Sequence, residues 1–67
     1  RDYVELVVYD ILGKRVRTLE NSEREAGRYK TMWDGRDEQG NDVGNGVYLY
    51  QLNAGRYNKT GKMMLVK

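Results

Sequence analysis

The 67-residue chain contains no cysteine, no histidine and no proline. Without cysteine there is no disulfide to staple a small fold and no thiolate metal site. Without histidine the commonest general base and the commonest zinc ligand are both missing. The only hydroxyl of serine type is Ser22, in a polar stretch. Carboxylate pairs such as Asp34 and Asp37 fall in turn-rich sequence with no sign of a cleft to shift their pKa values. These absences argue against an enzyme and against a bound cofactor. No apolar run approaches the length of a membrane span, and no N-terminal signal pattern is present. If the protein is exported, its targeting signal lies upstream of Arg1. Charge of one sign is also scarce in blocks: 12 basic and 10 acidic residues are interspersed, which reads as a solvated surface and not as a nucleic-acid footprint.

What is present is strand and turn chemistry. One domain, residues 1–67, is all the length allows, and a chain this short buries only about 60% of the surface its unfolded form exposes. Val4, Leu6 and Val8 alternate with Glu5 and Val7 and predict a first strand with those three residues inward. Gly13, in Asp10-Ile11-Leu12-Gly13-Lys14, supplies the positive φ of a tight hairpin. A shorter second strand follows, marked by Val16 and Leu19. Glu20 to Gly27 is polar and predicts a loop; a helix over Leu19 to Ala26 has too few apolar positions to bury a face. A third strand is predicted from about Arg28 to Trp33. Asp34 to Asp42 is the most turn-rich segment. Val43 is placed at the core edge. Gly46 launches a strong strand, Val47 to Leu52, with Tyr48, Tyr50 and Leu52 on one side. Asn53-Ala54-Gly55-Arg56 predicts a hairpin turn, and a last strand covers Tyr57 to Val66 with Met63 and Leu65 inward. About five strands with regular turn signals indicate an all-β antiparallel sandwich or small barrel. Because an aligned sandwich has about seven strands and this first strand has no lead-in, the chain is expected to lack its first strand and to leave a sheet edge open there.

Several motifs then resemble a known family. Val8-Tyr9-Asp10-Ile11-Leu12-Gly13-Lys14-Arg15-Val16-Arg17-Thr18-Leu19 is similar to the VYDxxGxxVxxL stretch of FlgD-like Ig-like domains and of the related C-terminal sorting domains of type IX (Por) secretion substrates. Gly27-Arg28-Tyr29, Trp33-Asp34-Gly35-Arg36-Asp37, Gly40, Val43 and Gly46-Val47-Tyr48-Leu49-Tyr50 follow their GxYxxxWDGxDxxGxxVxxGxYxY pattern, and Lys62 to Lys67 resembles their KMxLxK ending. The usual upstream Pro-Asn-Pro segment has no counterpart here, which agrees with a missing strand. The resemblance implies an Ig-like antiparallel β-sandwich of about five to seven strands. It also implies a non-catalytic C-terminal export, sorting or surface-attachment module of a secreted bacterial protein, working outside the cell or on its surface. The alternatives it implies are an appendage that stabilises a neighbouring catalytic domain, or an assembly module of hook-cap type that pairs through an open edge. Its partners would be the upstream domain of the same polypeptide, secretion machinery, or a strand-donating neighbour, with no nucleic acid.

Each motif has a structural reading beside the functional one. Trp33 closes a sandwich core, while Asp34 bonds its own loop backbone and Gly35 takes a positive φ. Asp34, Asp37 and Asp42 form a candidate calcium loop, although their spacing is not that of an EF-hand and Arg36 adds a positive charge. The tyrosines Tyr3, Tyr9, Tyr29, Tyr48, Tyr50 and Tyr57 are scattered and lack an RNP-like run, so cross-strand packing accounts for them better than base stacking. Lys62 and Lys67 are the candidate recognition residues, against the plainer role of edge-strand lysines that discourage aggregation.

Overall fold

The computed structural model describes residues 2–24 and 32–66. They form four strands, β1 (Asp2–Tyr9), β2 (Arg15–Arg24), β3 (Gly46–Ala54) and β4 (Tyr57–Leu65). All are antiparallel to their neighbours, in one sheet of order β2-β1-β3-β4.

The strand richest in β-branched residues takes an inner place. β1 pairs with β2 on one side and with β3 on the other, from Val4 opposite Ala54 to Tyr9 opposite Leu49. The expected open edge beside the first strand is therefore corrected: the edges of the described sheet are β2 and β4. Directly paired residues share a face. Val4, Leu6 and Val8 lie with Ala54, Leu52 and Tyr50, and Tyr48 lies with Met63. This inner face carries most of the predicted core. Val7 departs from the pattern: it points to the other face, yet it is as buried as Val8, at 1% and 0% exposure. Its cross-strand neighbours are Thr18 and Gln51. The outer face is therefore closed at Val7, although Glu5, Tyr9 and Leu49 on the same face stay partly exposed.

β2 corrects the loop expected over Glu20 to Gly27, at least as far as Arg24. It runs to Arg24 in register with β1. The polar residues there support one another across alternate positions. Ser22 Oγ donates to Glu20 Oε2 (2.9 Å) and Arg24 Nε donates to the same oxygen (2.6 Å). A strand with one side open to water tolerates such a sequence, and its low hydrophobicity imitates a loop. The register slips twice, passing over Leu19 and Val16, so the apolar residues that marked β2 in the sequence sit at its irregularities.

β3 and β4 pair without interruption from Gly46 opposite Leu65 to Ala54 opposite Tyr57. The turn is only Gly55-Arg56, with Gly55 at φ 61° and no positive φ at Arg56, the signs of a type II′ turn. Asn53 and Ala54, expected in that turn, belong to β3. Of the third predicted strand, Arg28 to Thr31 fall outside the described residues, as does the predicted core residue Tyr29, while Met32 and Trp33 are irregular.

Candidate functional site

Two short loops repeat one design. In Asp10-Ile11-Leu12-Gly13-Lys14, Asp10 Oδ1 accepts from the Leu12 N–H (3.0 Å) and the Lys14 N–H (2.8 Å). The Asp10 N–H donates to Lys14 O (2.9 Å) and the Gly13 N–H to Asp10 O (3.0 Å). In Asp37-Glu38-Gln39-Gly40-Asn41, Asp37 Oδ1 accepts from the Gln39 and Asn41 N–H groups (3.0 and 2.9 Å). The Asp37 N–H donates to Asn41 O (2.9 Å) and the Gly40 N–H to Asp37 O (3.0 Å). Gly13 and Gly40 both have φ 85°. The Asp-x-x-Gly spacing carries this repeat in the sequence. The carboxylate stands in for a further turn of backbone acceptors, and glycine supplies the left-handed φ. The tips differ: Ile11 and Leu12 are thrust into solvent, while Glu38 reaches back to the sheet.

The second loop tips a narrow arm. Arg36 and Asp42 form an isolated antiparallel bridge, and the Val43 N–H donates to Gly35 O (3.0 Å). The arm is tied to the sheet through Arg17, Thr18 and Tyr48. Arg17 Nη1 donates to Asp34 Oδ1 at 2.8 Å, as an ion pair. The Thr18 N–H donates to Glu38 Oε1 (2.6 Å). Trp33 donates from Nε1 to Arg36 O (3.0 Å) while its ring meets Tyr48 edge-on, centroids 5.1 Å apart at 72°. Tyr48 is buried and donates from its hydroxyl to Gly44 O (2.6 Å). A tyrosine near the start of a strand bonded to backbone a few residues upstream is the arrangement of the tyrosine corner in Ig-like sandwiches.

The predicted residues fall as follows. Asp34 Oδ1 also accepts from the Arg36 N–H (3.1 Å), and Gly35, buried, has φ 75°. Gly46 opens β3. Tyr50 lies across Gly61, its partner in register. The calcium candidates are not gathered. Asp34 faces Arg17, Asp37 serves its own loop, and Asp42 Oδ1 lies 3.5 Å from Arg36 Nε. No group of three or more acidic side chains converges among the described residues. Tyr3 and Tyr9 lie on the opposite face from Tyr48 and Tyr50, so these tyrosines form no single platform. Lys62 is exposed on β4, opposite Leu49, and lines a shallow hollow with Val47, Met63 and Met64. Lys67 lies outside the described residues. Among those residues no helix is long and apolar enough to cross a membrane.

Interspersed charge, as read along the whole chain, conceals a division. Every carboxylate side chain lies within residues 1–42; residues 43–67 carry only the cations Arg56, Lys59, Lys62 and Lys67. Counting the two hairpins separately reveals it in the sequence.

An all-strand sheet, a tyrosine tied back to its own lead-in and an arm strapped across one end define an Ig-like module. The chain belongs to the FlgD Ig-like domain family, which matches residues 1–58. The match is to this group and does not support the sorting-domain part of the resemblance, and Lys62 to Lys67 lie beyond the matched segment. No curated protein and no solved structure matches the chain.

Proposed function

We propose that the chain is a non-catalytic assembly module of hook-cap type, which holds neighbouring polypeptide through its sheet and works at the cell surface or beyond it. Membership of the FlgD Ig-like family carries this reading. The arm agrees with it: Asp34, Asp37 and Glu38 are engaged in holding the fold. The test removes these residues from the polypeptide that carries them. Light scattering should then show loss of the higher assembly, with export to the medium unchanged. Intact assembly with lost export, restored by adding back a segment that includes Lys62 to Lys67, would favour the sorting reading instead. Intact assembly and export, with a lower melting temperature of the neighbouring domain, would favour the appendage.

A further inference from the structure

The two edges of the sheet are built differently. β2 slips register twice, and the Glu38 carboxylate occupies the Thr18 N–H. Bulges and a covering group are the usual means of closing an edge to other chains. β4 has neither. Its pairing with β3 is unbroken over Tyr57–Leu65, and among the described residues no other segment pairs with its outer side. Its backbone is a template for one more strand.

Charge says what that strand would be. β4 carries Lys59 and Lys62, Arg56 stands in the adjoining turn, and residues 43–67 hold no carboxylate side chain to neutralise them. A second copy of β4 laid antiparallel would crowd four lysines into one two-stranded ribbon, and like charges across a ladder are destabilising. An acidic strand meets no such penalty. Lys59 and Met63 share the inner face, and Lys62 and Met64 the outer one. Met64, which lines the hollow with Val47 and Lys62, is left 71% exposed, and Val66 is 73% exposed. Main-chain bonds in strand addition give affinity, and alternate side-chain positions give selectivity.

We infer that the β4 edge takes an extended acidic segment of a partner protein by strand addition, with carboxylates across from Lys59 and Lys62 and apolar side chains across from Met63 and Met64. The inference deepens the assembly reading and rests on it. The probes are a synthetic strand with glutamates at the positions across from Lys59 and Lys62 and valines across from Met63 and Met64, its counterpart with lysine in place of glutamate, and the glutamate strand N-methylated along one edge. They are titrated into the isotopically labelled chain while backbone amide shifts are followed. The glutamate strand should shift the amides of Tyr57–Leu65 saturably and leave Arg15–Arg24 in place. The double variant Lys59→Glu/Lys62→Glu, its fold checked by circular dichroism, should weaken it by about tenfold, as loss of two exposed charge pairs implies. The lysine and N-methylated strands should not bind. Absence of β4 shifts at millimolar peptide, shifts confined to β2, or equal binding of the N-methylated strand would overturn the inference. In the carrying polypeptide, assembly that survives Lys59→Glu/Lys62→Glu but is lost on removing the module would sink the β4 edge and leave the assembly reading standing. Assembly unaffected by removing the module would end both.

Discussion

A methyl group added at Gly61 would lie 2.5 Å from Cζ and Oη of Tyr50, well inside contact distance. Tyr50 rests its ring over bare backbone, as an aromatic residue does opposite a strand glycine. Gly61→Ala gains about 0.5–1 kcal/mol from a less flexible unfolded chain, but displacing the ring costs about 1–3 kcal/mol. Net destabilisation of about 1–2 kcal/mol is expected in urea melts. In a Tyr50→Val background most of that loss should vanish, a coupling of about 1 kcal/mol or more in the double-mutant cycle. A second residue-scale effect is electrostatic. Hydrogen bonds from Ser22 and then Arg24 hold the Glu20 carboxyl below its ordinary pKa. A depressed folded pKa means that this stabilisation is complete above the unfolded value and drains as pH falls through the folded one. Glu20→Gln should therefore flatten the acid limb of stability against pH. Urea melts across that range check it, and an unchanged limb would show that the Glu20 contacts contribute nothing.

At the scale of the element, β2 and the arm depend on each other. β2 is an edge strand with two slips in its ladder, and the arm supplies a carboxylate to one of its amides and Asp34 to its Arg17. The exposed Arg17–Asp34 pair is worth about 0.2–1 kcal/mol. The bond from Glu38 to the Thr18 N–H, charge-assisted, belongs to the range of about 1.5–3 kcal/mol. Glu38→Ala should lower stability by about 1–2 kcal/mol, less than that full range because water reaches the freed amide. It should also speed exchange of the Thr18 amide more than that of the β3 amides, as hydrogen-exchange NMR can show. The equivalent Ile11→Ala change at the tip of the sister loop should alter stability by less than about 0.5 kcal/mol, since Ile11 is 67% exposed. Alternation and turn residues made β1, β3, β4 and their hairpins legible. The length of β2 was not legible, because edge pairing stabilises a polar strand that carries no periodic apolar signal.

For the whole molecule, the decisive fact is that β1 lies between strands drawn from both halves of the chain. Its hairpin with β2 is local, but its ladder with β3 joins Val4 to Ala54. Both of its faces are buried at Val7 and Val8. Val7→Ala and Val8→Ala should each cost about 2 kcal/mol, although the two side chains point in opposite directions. Period-two reasoning by itself puts Val7 in solvent, where the change would cost less than about 0.5 kcal/mol. Denaturant melts of the two variants separate these values clearly, because a small domain has only about 5–15 kcal/mol to lose.

The sequence alone determined the strand class, the positions of its tight turns and the loop chemistry of Asp34-Gly35, because these follow from side-chain period and from the φ values open to glycine. It also displayed the motifs of the FlgD Ig-like family. Tertiary structure decided what depends on strand neighbours. It placed β1 inside the sheet, covered Val7, carried β2 through a polar stretch, drew the calcium candidates to separate partners and set the lysines of β4 along an edge of the described sheet. Strand order is a long-range property: hydrogen bonds between distant segments fix it, and no local pattern of residues encodes which strand lies at the edge.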